Sequence, residues 1–356
     1  MNKNERELFL ELCAYRAPRY ERIEALLRGG AATPCVLGTL FANRVAAIAY
    51  GVLSEGGMLG LADREFRNSL RCAWAFGKMQ NKDMLLCIKS LCDSLEASGI
   101  PYALLKGAYL CYAYPEGYRT SNDIDVLVSP EDVGRVCACL KRAGFEQGYL
   151  KNGEFVPATR EQIISSRMMR GETVPFIKEV GLPSMQYLEV DVNFSLDLKS
   201  TEDTALRKML SRAIMTPIAD TRIRTLETYD FILHLCAHLY KEAASMPWIR
   251  MRRDMSFYKY CDIYGMLFSM SDGELDMLYL RAEELGIKKE LIYCLASLDA
   301  FFGTAHLRER VTENELCYVS SPSDKKTYRY TQSDPVERFF CEDRIRLLSE
   351  VRDERA

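Results

Sequence analysis

The sequence predicts an α+β fold: a small mixed sheet flanked by helices, with helical subdomains before and after it. Three observations carry this prediction. Short segments with strand character lie at 100–105, 123–128 and 186–194, in the middle of the chain. Apolar residues recur at helical spacing on both sides of that block. Glycine and proline punctuation separates the two patterns. The expected organisation is an N-terminal helical subdomain over 1–80, a sheet-bearing core over 81–200 and a C-terminal helical domain over 201–356.

Taken in order, residues 1 to about 70 read as helices broken at Gly29-Gly30 and Gly56-Gly57, with Leu8, Phe9, Leu12 and Cys13 on one face. From Phe66 to Ala97, apolar positions including Met84, Leu85, Ile88, Leu91 and Leu95 fit one or two long helices that stop at Ser98-Gly99. Ile100 to Leu105 is a short apolar strand, and Lys106-Gly107-Ala108 leads into a helix stopped by Pro115. A second strand begins at Asp123. Ser129-Pro130-Glu131-Asp132 then starts a helix, with serine at the cap, proline at the first position and acids in the first turn. It closes at Lys141-Arg142-Ala143-Gly144. Between Phe145 and Ser184 the pattern is mixed: a helix near Arg160 to Met169 and a strand at Val174 to Val180, read either as an insertion or as sheet edge. Gln186 to Phe194 is a third strand, and beyond Thr225 the chain turns helical again, with a last amphipathic helix expected at 336–351.

The most informative stretch is Arg119-Thr120-Ser121-Asn122-Asp123-Ile124-Asp125-Val126-Leu127-Val128. Side chains alternate along a strand, so Asp123 and Asp125 point to one side while Ile124 and the run after Asp125 anchor the strand in a core. Two carboxylates so close repel one another, and a divalent cation is the usual relief. In the third strand Glu189, Asp191 and Asn193 share one face, which supplies a further acid. At the Lys106-Gly107 junction, a strand-to-helix turn, a full positive charge and a glycine that admits an anion make a candidate phosphate cradle. Arg119 and Ser121 either contact phosphate or cap the turn before the strand.

Composition narrows the class. Nearly half the residues are apolar (48%) and 27% are charged, enough for a large core. A net charge of −3 gives no electrostatic support for a long nucleic-acid track, so a small-molecule or protein partner is expected. No apolar run approaches the ~20 residues of a membrane span, and the first residues lack a signal-peptide core, so a cytoplasmic protein is expected. Thirteen cysteines without Cys-x-x-Cys pairing suit reduced core thiols. His234 and His238 share a helix face, but Leu235 stands where a zinc hydrolase has glutamate. Arg250, Arg252 and Arg253 form a basic cluster, either an anion site or a surface helix paired with Asp254 and Glu242.

Together, a strand ending in Leu105-Lys106-Gly107, a helix, Arg-x-x-x-Asp-hydrophobic-Asp, and an aspartate in a later strand resemble the nucleotidyltransferase superfamily with the polymerase-beta-like fold. Within it, the chain is similar to the uncharacterised bacterial nucleotidyltransferase-like proteins that carry Leu-Lys-Gly, over roughly residues 80 to 265. The resemblance implies Asp123 and Asp125 as metal ligands and Asp191 as the third catalytic carboxylate. It implies magnesium, or manganese in its place, and an NTP donor, with ATP expected. It also suggests a histidine helix beside the nucleotide, which makes His238 a candidate together with Lys106, Gly107, Arg119 and Ser121. One position departs from the pattern, since Ala108 stands where the superfamily usually has serine after the glycine. Phosphatases and glycosyltransferases with Asp-x-Asp place the pair after an apolar strand, whereas here the apolar run follows it. The expected activity is metal-dependent transfer of NMP to a hydroxyl on a small molecule or protein. The alternative is a catalytically weak homologue acting as a binding or regulatory protein, such as one component of a toxin–antitoxin pair.

Overall fold

Eight strands form one mixed sheet in the order β4-β3-β5-β6-β2-β1-β8-β7. They are β1 (Tyr102–Leu104), β2 (Asp123–Val128), β3 (Glu146–Lys151), β4 (Glu154–Pro157), β5 (Phe176–Leu182), β6 (Met185–Asn193), β7 (Ile214–Ile218) and β8 (Thr221–Thr225). The computed structural model describes residues 1–169, 171–196, 204–304, 307 and 330–350. Two pairings are parallel, β2 with β6 and β1 with β8; the others are antiparallel. The fold is α+β, as the strand and helix patterns predict.

The sheet has two unlike faces at its centre. Ile124, Val126 and Val128 of β2 and Leu188, Val190 and Val192 of β6 join Met84, Ile88, Leu91 and Leu95 of a long helix in one buried apolar cluster. That helix is a single element, Arg64–Ala97, and its four leucine-type positions recur every three or four residues as one stripe. Val133, Val136 and Leu140 of the helix Val133–Arg142 complete the cluster. Each such side chain contributes roughly 1.5–3 kcal/mol by leaving water. Alternation then sends Asp123, Asp125, Glu189 and Asp191 to the opposite face.

The chain divides into two units, one of residues 72–231 and one of residues 1–71 with 232–356. The sheet lies entirely in the first. Where the sequence suggests three consecutive segments, the first and last contribute to one unit, and the β7–β8 hairpin belongs with the sheet. The hairpin is tied there by the parallel pairing of Leu104 with Thr225, whose hydroxyl donates to the Leu104 carbonyl at 2.6 Å. In the second unit, Phe9 of the helix Lys3–Cys13 stands 4.9 Å from Phe257 and 5.3 Å from Phe339, ring centre to ring centre. Phe257 in turn meets Phe301 at 5.0 Å. These aromatic contacts are why residues from both ends share one core. Arg338 is buried there, donating to the Tyr330 carbonyl and the Tyr293 hydroxyl, both at 2.8 Å.

Several boundaries shift from expectation. The start at Ser129 is a 3₁₀ turn, Pro130–Asp132, before the helix proper, and the Ser129 hydroxyl donates to the Asp132 carboxylate at 2.9 Å rather than capping a backbone amide. The expected last helix is two, Pro335–Phe340 and Arg344–Glu350, because Cys341 is extended (φ −67°, ψ 125°); residue 351 lies outside the described residues. Among the described residues, no helix is long and apolar enough to cross a membrane.

Candidate active site

The parallel pairing of β2 and β6 sets Asp123 beside Glu189 and Asp125 beside Asp191. Residues paired in register across a sheet point to the same side, so four carboxyl groups, 64 and more residues apart between strands, gather on one patch. Asp125 is the most buried, at 4% exposure. The repulsion is visible in the acids themselves. Burial pushes the Asp191 carboxyl well above the ordinary carboxylate range, and Asp125, Asp123, Glu189 and Glu172 push it further. Glu189 is raised as well, by burial and then by Asp123 and Asp125.

Lys106 answers part of this charge. Its ammonium donates to Asp125 Oδ1 at 2.7 Å, and Asn193 Nδ2 donates to the same oxygen at 3.2 Å. Burial works against the charge on Lys106, yet Asp125, with Asp123 and Asp191 behind it, holds that ammonium above its usual range. The backbone is fastened at the same point, since the Leu105 amide donates to the Asp125 carbonyl at 3.0 Å. Lys106 has φ 45° and ψ −116°, a conformation that side-chain-bearing residues rarely adopt.

The Lys106-Gly107 turn differs from an open cradle. A Cβ on Gly107 would lie 2.3 Å from Ser121 Oγ and 2.4 Å from Ser121 Cβ, so the glycine is required by close packing. The helix that follows has only seven residues, Gly107–Ala113, and its Ala108 and Tyr109 amides donate to the Leu105 and Lys106 carbonyls, both at 3.2 Å. Ser121 is buried, and its hydroxyl donates to Asp123 Oδ1 at 2.7 Å. Arg119 is buried too, with its guanidinium on the Thr120 carbonyl. Thus Lys106, Gly107, Ser121, Asp123, Asp125 and Asp191 come together within the sheet unit. His238 does not belong to that unit. It sits on the helix Thr228–Ala243 beyond the boundary after Phe231, with Nε2 3.8 Å from Glu242 Oε1.

Glu189 and Asn193 flank Asp191 on the face that the period-two alternation predicts, and Glu189 adds a fourth carboxyl beside Asp123. Another pair of residues escapes the sequence reading. Gln80 and Asn81 lie in a helix that reads as core packing. Yet Gln80 Nε2 donates to Asn122 Oδ1 at 2.8 Å, and Asn81 Nδ2 donates to the Arg119 carbonyl at 2.9 Å. Asn81 Oδ1 accepts from the Gly117 amide at 3.1 Å, so both residues fix the loop that delivers Asp123. No sequence signal marks them.

Among the described residues, no group of three or more His, Cys, Asp or Glu side chains stands closely enough together to hold a metal ion. Lys106 meets Asp125 in this arrangement. In kind, carboxylate oxygens gathered on one face suit a hard divalent ion, although their spacing here is wider than a closed ligand set.

No curated protein matches the chain. Among solved structures it is similar to an antigenic nucleotidyltransferase-like protein from Paracoccidioides brasiliensis, at 14% identity over 58% of this chain and 92% of that one, with a TM-score of 0.34. So slight a likeness carries no weight by itself. The sequence match is broader: residues 31–303 fit the family described as uncharacterised nucleotidyltransferase. That span includes Lys106, the Asp123–Asp125 pair and Asp191, and the chain accordingly belongs to the uncharacterised nucleotidyltransferase family.

Proposed function

We propose that this protein transfers NMP from an NTP, ATP being the expected donor, to a hydroxyl of a small molecule or protein, with a divalent cation bound at the acidic face. The observation that carries the reading is the β2–β6 register, which pairs Asp125 with Asp191 and Asp123 with Glu189. Asp123, Asp125 and Asp191 are the residues that would hold magnesium or manganese. Such an ion supplies neutralisation of phosphate charge and a more acidic acceptor hydroxyl.

The remaining work falls to the chain. Asp191 is assigned to take the proton from the acceptor hydroxyl, a role that requires a carboxylate within hydrogen-bond reach of that hydroxyl. The acceptor oxygen forms a bond to the α-phosphorus, the bond from that phosphorus to the bridging oxygen breaks, and pyrophosphate leaves. Lys106 is the candidate to meet the phosphates, and Ser121 holds Asp123 in orientation. Gly107 lets Ser121 approach. Arg119, buried in the loop and held through its carbonyl by Asn81, supports that geometry.

The test is incubation with each α-labelled NTP and magnesium or manganese, followed by label transfer and pyrophosphate release. Wild type is expected to release pyrophosphate, and Asp125→Asn is expected to lose it by at least two orders of magnitude. Undiminished transfer by Asp125→Asn would refute the assignment. A second reading, a catalytically weak homologue that binds or regulates a partner, draws on Ala108 standing where the superfamily has serine and on the internally bonded Ala108 and Tyr109 amides after the turn. It predicts thermal stability indifferent to every NTP, with or without metal.

A further inference from the structure

The Lys106–Asp125 pair is more tightly built than a chance surface ion pair. Lysine and aspartate side chains are 20% and 5% exposed. The acceptor, Asp125 Oδ1, already takes a second hydrogen bond from Asn193. The neighbouring backbone is joined to the same residue through Leu105. Lys106 also holds a positive φ of 45°, in a region that a residue with a side chain occupies under strain and only when its surroundings over-determine it. A glycine would sit there without that strain. The chain therefore keeps a strained lysine at the turn, and the contact that lysine makes is with the central carboxylate of the acidic face.

We propose that Lys106 is a resident counter-cation: it occupies on Asp125 the place a divalent ion would take, and a metal–nucleotide complex binds by lifting the ammonium off Asp125 and onto the incoming phosphate. The inference rests on the metal-dependent reading of the acidic face given above. Its physical basis is charge exchange. Before binding, one ammonium offsets carboxylates that the β2–β6 register sets side by side. When a divalent ion arrives alone, it must displace that ammonium into an unfavourable position. When it arrives with a polyphosphate, the released ammonium has a partner at once. Metal and nucleotide are thus expected to bind cooperatively, with metal alone held weakly.

The test measures Mn2+ binding to the whole protein by electron paramagnetic resonance, and melting temperature in chelator and in Mn2+, without nucleotide. Lys106→Gly removes the ammonium and suits the backbone; Lys106→Met removes it and keeps the strain. Both are expected to bind Mn2+ at least tenfold more tightly than wild type, and to gain more melting temperature from Mn2+ than wild type gains. Lys106→Arg, which keeps a cation, is expected to stay within threefold of wild type. The gain in Lys106→Gly should vanish when Asp125→Asn is added. Equal Mn2+ affinity in wild type and Lys106→Gly, abolished in both by Asp125→Asn, would overturn this inference and leave the metal reading standing. No Mn2+ binding by any variant would overturn both.

Discussion

Replacing Gly107 with alanine tests the packing that positions the acidic pair. The new Cβ would meet Ser121 Oγ at 2.3 Å and Ser121 Cβ at 2.4 Å, more than 1 Å inside ordinary contact. Ser121 is 5% exposed, and turning its hydroxyl away from the new Cβ would release Asp123 Oδ1, to which it donates at 2.7 Å. Overpacking of this kind costs about 1–3 kcal/mol. The lost hydroxyl–carboxylate bond adds about 1 kcal/mol, discounted because Asp123 is partly exposed. The sum, roughly 2–4 kcal/mol, lowers the melting temperature of a unit this size by roughly 4–16 °C. Thermal or urea denaturation reads the effect, and two second-site changes separate its parts. Adding Ser121→Gly removes both clashing atoms and should recover the overpacking share. Adding Ser121→Ala leaves the 2.4 Å contact in place and should recover little. A Gly107→Ala protein that melts within about 1 °C of wild type, or equal rescue by alanine and glycine, would refute the reasoning.

Other outcomes follow from the same structure. Because the Asp191 carboxyl ionises at higher pH in the folded protein than in the unfolded chain, its contribution to stability is complete below the ordinary carboxylate range and is lost as pH rises through the raised folded value. Asp191→Asn in chelator should therefore match wild type near pH ~4 and exceed it increasingly toward neutrality, by about 2 °C for each ~1 kcal/mol of repulsion removed, while losing transfer; a stability difference independent of pH would contradict this. Burial pushes the Cys87 and Cys92 thiols up to about 11, so both should resist alkylation at pH ~8 while the exposed Cys35 and Cys72 react, as mapped by mass spectrometry. Phe9→Ala should destabilise the unit built from both chain ends by about 3–5 kcal/mol in urea denaturation, since the ring is fully buried among Phe257 and Phe339.

The centre of the sheet was legible because its residues obey strong rules. The Asp123–Val128 run alternates acid and apolar residues before becoming wholly apolar, and Gln186 to Phe194 alternates throughout, so both strands and their shared acidic face can be read from period two. The edges were not legible in the same way. β3 and β4 are polar and mostly exposed, and only the Asn152-Gly153 turn, with φ 54° and 83°, announces their hairpin. The β7–β8 turn places Ala219 at φ 43°, where glycine or asparagine would have given the signal. The Lys106–Asp125 contact spans 19 residues and depends on a backbone conformation that lysine seldom takes, so no sequence rule points to it.

The aromatic junction of Phe9 with Phe257 and Phe339 bears on how the polypeptide is made. On the ribosome, residues 1–71 emerge well before Phe339, and at roughly 5–20 residues per second that separation lasts on the order of 10–50 s. During the interval the nascent N-terminal helices present Leu8, Phe9 and Leu12 without the rings that later cover them, while the sheet unit has all of its strands in hand as soon as Thr225 has been added. Nascent-chain order therefore favours completion of the inserted sheet first and closure of the helical unit last, and the greasy face of the first helix is the surface a holding chaperone would meet.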